Sequence, residues 1–290
     1  MIDSERKRIL VLGATGMLGH AVLRYFVERG EHSVVGSVRS QSRSRQLPSA
    51  LQRCVVSGTD VESFDSLSLA FADVRPDIVI NCIGLIKQRA EAEDVLSALP
   101  INSLLPHRLA RLCAILRARL IHVSTDCVFS GSKGMYSEDD VSDARDLYGR
   151  SKFLGEVDYP HAVTLRTSII GRELDGAHGL VEWFLSQDTR VCGYTKAVFS
   201  GLTTVELARV MHDYVIPHAE LRGVYHVSVD AIDKFTLLQR VAEAYGKVIE
   251  ITPDDKVAID RSLDSTRFRR ATGYSPPSWS ELIAGMREFG

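Results

Sequence analysis

The sequence predicts an α/β protein built on a doubly wound parallel sheet, followed by a smaller, irregular C-terminal region. Through the first half of the 290 residues, short and nearly uninterrupted apolar runs alternate with amphipathic helical patterns. Such runs are typical of parallel strands that are covered on both faces. The alternation loosens after about residue 168. We therefore expect a sheet domain over residues 1–168 and a mainly substrate-binding region over 169–290, parts of which return to the first domain.

The predicted elements follow one another in a regular order. The apolar runs predict strands at 8–14, 33–39, 53–60, 76–84, 119–126 and 162–171. Apolar residues at helical spacing predict helices at 17–30, 61–74, 104–118 and 146–159. In the second half, the clear elements are a strand at 223–229, a helix at 235–246 and a helix after the prolines near the C-terminus. This order is Rossmann-like, and such folds bind ligands at the carboxyl ends of their strands.

The composition excludes several classes of protein. The chain is 45% hydrophobic and 25% charged, and its net charge of −2 gives no basis for binding nucleic acid or a membrane surface. No apolar run approaches the roughly 18 residues that span a bilayer, and the N-terminus lacks the apolar core of a signal peptide. The five cysteines predict neither a disulfide framework nor a metal site. We expect a cytoplasmic protein without a metal.

A glycine turn follows the first strand. In "GATGMLG", Gly13, Gly16 and Gly19 are three residues apart and directly precede the first helix. Glycines let the chain turn tightly and let its backbone approach a pyrophosphate, to which the helix N-terminus offers free N–H groups. The alternative is a glycine-rich turn without a ligand. We predict a dinucleotide site that includes Gly13, Thr15, Gly16, Met17, Leu18 and Gly19.

The end of the second strand predicts which dinucleotide binds. It reads "SVRSQSRSRQ", with Arg39 and Ser40 but no acidic residue. A carboxylate at this point would bind the ribose 2′-hydroxyl of NAD, whereas arginine accommodates the 2′-phosphate of NADP. We therefore predict NADPH, with NADH as the alternative. Arg43 and Arg45 are expected only to solvate the loop.

Three side chains suited to proton transfer follow in order. Ser124 and Thr125 end the fifth predicted strand, and Tyr148 and Lys152 lie one helical turn apart on the next helix. A nearby lysine cation favours the ionised form of a phenol, so Tyr148 can pass a proton to or from a carbonyl oxygen that Thr125 holds. We predict Thr125, Tyr148 and Lys152 as catalytic residues. Ser124, Tyr148 and Lys152 are also expected to contact the cofactor.

The motifs "GATGMLG", "STDCVFSG", "LYGRSKFLGE" and "SLDSTRFRRATGYSPPSW" occur in this order over nearly the whole chain. Together they resemble the extended short-chain dehydrogenase/reductases, and most of all the dTDP-4-dehydrorhamnose reductase family. The resemblance implies NADPH-dependent reduction of a nucleotide-activated 4-keto-6-deoxy sugar for glycan biosynthesis. It also implies cofactor contacts from Asp60, Val61, Cys82, Ile83 and Gly84, and a homodimer as in many members of the superfamily.

The sequence departs from that family at three places. Cys127 stands where the family usually has tyrosine, Ile169 where it has an aromatic residue, and "NCIGLIK", ending at Lys87, where it has "NAAA". These positions touch the hexose in the family, so we expect the same chemistry on a different sugar. A second-half loop with Lys196 could bind phosphate, or could be an ordinary surface loop. The expected substrate contacts are Lys87, Thr125, Asp126, Cys127, Tyr148, Ile169 and Lys196.

Other functions stay open on the sequence. Dehydratases of this superfamily place Asp and Glu after the strand-end Thr, but here Asp126 is followed by Cys127. Epimerases retain a tightly bound NAD, which Arg39 without an acidic neighbour disfavours. A non-catalytic, NADP-binding regulatory subunit is a function of another class. The complete Thr–Tyr–Lys set argues against it.

Overall fold

The computed structural model describes residues 6–86 and 90–290. Lys87, a predicted substrate contact, lies outside these residues. The strands are β1 (Arg8–Leu12), β2 (Ser33–Val38), β3 (Val55–Ser57), β4 (Ile78–Asn81), β5 (Arg119–Thr125), β6 (Ala162–Thr167), β7 (Ile169–Ile170), β8 (Val191–Tyr194), β9 (Ala197–Phe199), β10 (Leu202–Thr203), β11 (Gly223–His226), β12 (Ile232–Asp233), β13 (Ile251–Asp254) and β14 (Ile259–Asp260).

The α-helices alternate with the strands. They are α1 (Met17–Arg29), α2 (Gln41–Ser44), α3 (Ser49–Gln52), α4 (Phe64–Val74), α5 (Val95–Ala98), α6 (Leu105–Leu116), α7 (Leu147–Leu154), α8 (Leu180–Leu185), α9 (Thr204–Val210), α10 (Lys234–Tyr245), α11 (Thr266–Thr272) and α12 (Trp279–Phe289). A π-helical turn, Leu99–Leu104, runs directly into α6. Among the described residues, we find no helix with the length and apolar character needed to cross a bilayer.

Seven parallel strands form the central sheet, in the order β11–β6–β5–β4–β1–β2–β3. The chain leaves β1 in one direction through β2 and β3, and in the other through β4, β5 and β6. The strand order therefore reverses between β1 and β4, and ligands of such sheets bind outside the carboxyl ends at this reversal. The predicted doubly wound α/β fold is confirmed, and each predicted strand of the first half corresponds to a strand of the sheet.

The sheet is buried on both faces, which explains the continuous apolar runs of its strands. Side chains alternate along each strand, so Ile9 and Val11 of β1 join one apolar core and Leu10 and Leu12 join the other. The first core includes α1, α9 and α12, and the second includes α4 and α6. Sheet and helices thus form one framework that fixes the carboxyl ends of the strands.

The second half is built from small sheets. β8 pairs with β13, β9 pairs with β12 and β14, and β7 pairs with β10. These strands are two to four residues long. They are too short to produce a periodic pattern in the sequence. One strand of this half, β11, pairs with β6 as the edge of the central sheet. The second half therefore covers the carboxyl edge of the sheet and also completes it.

Candidate functional site

A cleft of about 1090 Å³ lies at the carboxyl ends of the strands. It runs between the central sheet and the second half of the chain, as expected at the reversal of strand order. Most of the predicted site residues line it, namely Gly13, Thr15, Gly16, Met17, Leu18, Arg39, Val61, Cys82, Ile83, Gly84, Ser124, Thr125, Asp126, Cys127, Tyr148, Lys152 and Ile169. The predicted cofactor, catalytic and substrate residues thus meet in one cavity.

Four of the predicted residues that the structure describes do not line the cleft, namely Gly19, Ser40, Asp60 and Lys196. Gly19 packs inside the glycine turn, and Ser40 precedes α2 as its N-cap. The Asp60 carboxylate accepts a hydrogen bond from the N–H of Glu62, 3.1 Å away, and the neighbouring Thr59 lines the cleft instead. Their expected direct contacts with the cofactor are therefore not supported by their positions.

Lys196 is also away from the cleft. Its Nζ lies 3.0 Å from the Asp255 carboxylate, and the two side chains are 59% and 70% exposed. β8 pairs with β13 up to Tyr194 and Asp254, so the loop that follows β8 lies beside the end of β13 and Lys196 faces solvent. Lys196 therefore does not line this cleft, and its position favours the alternative of an ordinary surface loop.

The glycine turn has the shape that a dinucleotide needs. Gly13 has φ +80°, and a Cβ there would lie 2.8 Å from Ile83. A Cβ on Gly19 would lie 2.0 Å from the carbonyl oxygen of Gly13, so α1 can pack on the turn only through a glycine. Gly16 is the N-cap of α1 and has no side chain to cap the helix. The first N–H groups of α1 are thus left for an anion at the cleft, and the residues fit a pyrophosphate.

The end of β2 carries more positive charge than expected. Arg39 is exposed and lines the cleft, and Arg43 lines it as well. Arg43, which was expected only to solvate the loop, therefore also lies where it could meet a ligand of the cleft. Asp175, from the loop after β7, lies 3.9 Å from Arg43 and 3.2 Å from the side-chain nitrogen of Gln46. Two segments far apart in sequence thus meet across this end of the cleft.

Helix α7 is held at the end of β5 by close packing. Its N-cap, Asp146, accepts a hydrogen bond of 2.7 Å from the N–H of Gly149. A Cβ on Gly149 would lie 2.3 Å from the carbonyl oxygen of Cys127, so the helix touches the strand-end turn directly. On its other side, Ser151 accepts a hydrogen bond from Asn102 of the π-helical turn at 3.1 Å. These contacts fix the direction in which Tyr148 and Lys152 project.

Tyr148 is a phenol that keeps its proton. Burial raises its pKa well above its usual range, and a hydrogen bond with Thr125 opposes this in part. Thr125 itself accepts a hydrogen bond from the N–H of Cys127 at 3.1 Å and lies 3.2 Å from the Asp126 carboxylate. The phenol and the threonine hydroxyl therefore lie together at the end of β5, where they can both reach one oxygen atom of a ligand.

Lys152 is buried beneath the cleft, with its side chain pointing into the sheet edge. Its Nζ donates a hydrogen bond of 2.8 Å to the carbonyl oxygen of Val123. Burial lowers the pKa of Lys152 to about 8, although the Glu156 carboxylate favours the charged form. A Cβ at Gly84 would lie 3.8 Å from this Nζ, so a glycine keeps the approach to the ammonium open.

A buried ion pair lies beside the end of β5. Glu156 accepts hydrogen bonds from Ser124 at 2.7 Å and from the Arg166 guanidinium at 2.7 and 2.6 Å. Arg166 also lies 3.2 Å from Nε2 of His226 in β11. Ser124 thus has its hydroxyl engaged by Glu156, and its predicted role as a cofactor contact depends on the remaining acceptor capacity of that hydroxyl.

Several cleft residues escaped the sequence analysis. Lys234 and Arg261 from the second half line the cleft, as do Glu173, Asp175 and His178 from the loop after β7. Burial lowers the pKa of Lys234 to about 8, and it raises the pKa of Asp126, an effect that Arg261 and Lys234 oppose. One sequence sign could have marked Lys234. It is the first residue of α10, where a positive charge is disfavoured by the helix dipole.

Known proteins resemble this chain over its full length. A dTDP-4-dehydrorhamnose reductase of Aggregatibacter actinomycetemcomitans is 24% identical and covers 97% of this chain and 99% of its own. A protein of Haloferax volcanii named "Probable low-salt glycan biosynthesis reductase Agl14" is 33% identical, covering 95% and 96%. Methionine adenosyltransferase 2 subunit beta of Rattus norvegicus is 30% identical, but over 53% of this chain and 43% of its own.

A solved structure and a family model agree with these relatives. The crystal structure of dTDP-4-dehydrorhamnose reductase from Bacillus anthracis, in complex with NADP, matches with a TM-score of 0.79 and 20% identity over 98% of this chain and 99% of that chain. The model of the RmlD substrate binding domain matches residues 7–287. The chain therefore belongs to the RmlD substrate binding domain family, which is the dTDP-4-dehydrorhamnose reductase-like family that its motifs resemble.

Proposed function

We propose that this protein is an NADPH-dependent oxidoreductase that reduces the keto group of a nucleotide-activated sugar, a 4-keto-6-deoxy hexose, for glycan biosynthesis. One observation carries the proposal. The glycine turn and the Thr125, Tyr148 and Lys152 side chains open on the same cleft. The names of the full-length relatives, a dTDP-4-dehydrorhamnose reductase and a glycan biosynthesis reductase, support the same reaction class.

The cofactor site follows from the residues at the first end of the cleft. The turn from Gly13 to Leu18 and the N-terminus of α1 would hold the pyrophosphate, and Arg39 with Arg43 would hold the 2′-phosphate. No carboxylate ends β2 to favour the 2′-hydroxyl of NAD, since Ser37 and Val38 precede Arg39 in the cleft wall. When bound, NADPH supplies the hydride for the carbonyl carbon. NADH is the alternative cofactor.

The proton path uses two side chains at the end of β5. The Thr125 hydroxyl, which donates to the Asp126 carboxylate 3.2 Å away, would rotate its one proton to the carbonyl oxygen and hold that oxygen beside the phenol. Tyr148 then gives its proton to that oxygen as negative charge develops there. Because burial holds the pKa of Tyr148 high, the phenol arrives protonated. The Lys152 ammonium lowers the cost of the phenolate that remains, since opposite charges favour the ionised form.

The substrate region is assigned by position. We assign cofactor binding and catalysis to residues 1–168 and most of the substrate binding to residues 169–290. Asp126, Cys127 and Ile169 line the cleft beyond Thr125, so they are the proposed hexose contacts from the sheet side. Cys127 and Ile169 lack the aromatic rings expected of the family, which supports a sugar other than the one those rings bind.

The geometry argues against the rival reactions. A dehydratase needs a second acid beside Asp126, but the next residue is Cys127, and burial raises the pKa of its thiol to about 12. A regulatory subunit needs no proton donor, whereas here Tyr148 and Lys152 are held in place by Gly149 and Ser151 packing. Because part of the chain matches a methionine adenosyltransferase beta subunit, the activity assay must also distinguish an enzyme from a regulatory subunit.

We also propose a homodimer in the cytoplasm. Apolar side chains are exposed on two helices, with Ile115 of α6 at 76% and Phe153 and Leu154 of α7 at 45% and 58%. A second copy of the chain would bury such a face. All five cysteines are free thiols, which suits a reducing compartment. Light scattering of the purified protein measures its mass, and a monomer at micromolar concentration would contradict the dimer.

The reaction is tested by Tyr148→Phe. We expect the wild type to oxidise NADPH only when a dTDP-, UDP- or GDP-linked 4-keto sugar is present. Removing the proton donor should lower kcat by about 10²–10⁴-fold and leave the affinity for NADPH unchanged. Absorbance at the nicotinamide band gives turnover, and fluorescence titration gives NADPH binding.

A matched variant controls for the loss of a phenol hydroxyl. Tyr159→Phe removes a hydroxyl that lies 3.1 Å from His107, outside the cleft, and should keep full turnover. If Tyr148→Phe turned over as fast as the wild type, Tyr148 would not be the acid. If the wild type bound NADPH but reduced no keto sugar, the regulatory function would take precedence.

A further inference from the structure

One cation in the cleft has no place in the reaction described so far. Lys234 begins α10, directly after Asp233, whose carboxylate caps that helix by accepting a hydrogen bond from the N–H of Thr236. The Lys234 ammonium lies over the face of the Phe199 ring, with Nζ 3.4 Å from the ring centroid, and Lys234 lines the cleft. The aromatic face therefore holds the ammonium at the wall of the cleft by a cation–π interaction.

Apart from the Phe199 ring, the ammonium has no hydrogen-bond or ion-pair partner among the described residues. Within residues 6–86 and 90–290, no carboxylate lies within ion-pair distance of Lys234 Nζ and no oxygen accepts a hydrogen bond from it. Burial lowers the pKa of this amine to about 8, with Asp126 and Cys127 favouring the charged form from farther away. An ammonium that loses water when a ligand fills the cleft, without gaining an acceptor, costs free energy, so a ligand that offers it an oxygen is favoured. The helix dipole adds to the cost, because a cation stands at the N-terminus of α10.

The position of Lys234 indicates which part of a ligand it meets. Its electrostatic partners, Asp126 and Cys127, immediately follow Thr125, whose hydroxyl is assigned to the reacting oxygen. Arg261 opposes the Asp126 charge as well, and its Nε is already bound to the carbonyl oxygen of Phe129 at 2.8 Å. Asp126 thus has two cations near it, and Lys234, the one without a hydrogen-bonded oxygen, lines the cleft beside the residues that follow Thr125.

We propose that Lys234 is a specificity-determining residue that donates hydrogen bonds to an oxygen substituent of the hexose ring. The inference rests on the proposed function, because it takes the ligand of this cleft to be a nucleotide-activated sugar. It adds a contact from the second half of the chain on the side where Cys127 replaces the larger tyrosine of the family. A hexose that lacks an oxygen at this point leaves the ammonium unpaired and is rejected.

Lys234→Met tests the contact because it removes the ammonium and keeps an unbranched side chain beside Phe199. We expect the KM for the keto-sugar nucleotide to rise by about 10–100-fold, the range for a hydrogen bond to a charged group, with a smaller change in kcat. Inhibition by the matching nucleoside diphosphate without the hexose should not change, and neither should NADPH affinity. Lys234→Arg, which keeps the charge and the donors, should recover part of the affinity. The exposed Lys256 supplies the matched control, and Lys256→Met should behave as the wild type.

The KM and the inhibition constant of Lys234→Met decide whether Lys234 contacts the hexose. An unchanged KM in Lys234→Met overturns the proposal, and so does an equal weakening of nucleoside diphosphate inhibition, since the contact would then be with the diphosphate. Unaltered NADPH binding shows that the variant is folded. If the wild type reduced no keto sugar, the proposed reaction would fail, but calorimetric binding of dTDP- or UDP-hexose to wild type and Lys234→Met would still measure the contact.

Discussion

Burial acts in opposite directions on the two members of the Tyr148–Lys152 pair. It raises the pKa of the phenol above its usual range and lowers that of the ammonium to about 8. A proton donor for reduction must be protonated when the carbonyl arrives, so the raised pKa suits Tyr148. Lys152 is then poised close to neutral pH, and its charge, which supports the phenolate, is lost under mildly alkaline conditions.

We predict an alkaline limb in the pH profile. The charged form of Lys152 is the active form, so kcat/KM for NADPH should be highest below pH 8 and fall as the pH rises through about 8. This parameter reports ionisations of the free enzyme, and it is measured from initial rates at saturating keto sugar between pH 6 and 10.

The same measurement in Lys234→Met assigns the limb. The pKa of Lys234 is also lowered to about 8, so its titration overlaps that of Lys152. A limb that persists in Lys234→Met belongs to Lys152. A profile that stays flat to pH 10 in both proteins would contradict the role of the Lys152 charge.

At the scale of elements, α7 is the part that turns a sequence pattern into a site. Its eight residues carry both Tyr148 and Lys152, and it is fixed at both flanks. Asp146 caps its N-terminus, Gly149 lets it touch the turn after β5, and Asn102 of the π-helical turn binds Ser151. π-helical turns often occur at functional sites, and here one supplies a hydrogen bond to the catalytic helix.

Gly149→Ala should disturb catalysis through the position of α7. The new Cβ would lie 2.3 Å from a backbone oxygen and 2.5 Å from the Ala144 Cβ, so the helix must shift. We expect a loss of about 1–3 kcal/mol in the free energy of unfolding, as for an overpacked core, and a kcat at least ~10-fold lower, since small displacements of catalytic groups are costly. Denaturant unfolding and initial rates measure the two effects.

Gly285→Ala is the matched control for a glycine inside a helix. It lies in α12, where nothing stands within 4 Å of the new Cβ. Alanine should stabilise this helix by about 0.5–1 kcal/mol with no change in rate. Equal behaviour of the two variants would show that the close contact at Gly149 does not position the site.

The first-half elements could be predicted because their signal is local. Buried parallel strands are continuous apolar runs, and β1, β4 and β5 are recognisable from their own residues. The small sheets of the second half have no such signal, because strands of two residues such as β7 and β12 exist only through their pairing partners. Tertiary contact, not local preference, decides these elements.

The same distinction separates the site residues. Gly13, Tyr148 and Lys152 were predictable because spacing alone relates them to their neighbours. Lys234 could not be found in this way, since its meaning depends on Asp126, which lies far away in the sequence and close in the cleft. Lys196 was misplaced for the reverse reason, because its partner Asp255 is set by the pairing of β8 with β13.

At the scale of the whole molecule, the two halves share one core. The larger apolar core contains Val22 and Phe26 of α1 together with Leu207 of α9, Phe268 of α11 and Ile283 of α12. Arg24 of α1 packs on the ring of Phe289 at 4.2 Å. The functional division at residue 168 therefore does not coincide with a division in packing.

A fragment of residues 1–168 should fail to fold. It lacks β11 and the helices α9, α10, α11 and α12, which pack with α1 in the larger core, so it leaves much of that core exposed. We expect no cooperative thermal transition by circular dichroism, whereas the full chain should unfold in a single transition. A fragment that melted cooperatively and bound NADPH would show that the first half is an independent domain.

The late arrival of β11 also matters during synthesis. β6 ends at Thr167, and its partner begins at Gly223, so at about 5–20 residues per second the ribosome needs several seconds to deliver the missing strand. Throughout that interval the growing chain carries an unpaired strand edge, which is a template for association with other chains. The same long segment that brings Lys234 and Arg261 to the cleft thus delays the strand that closes this edge of the sheet.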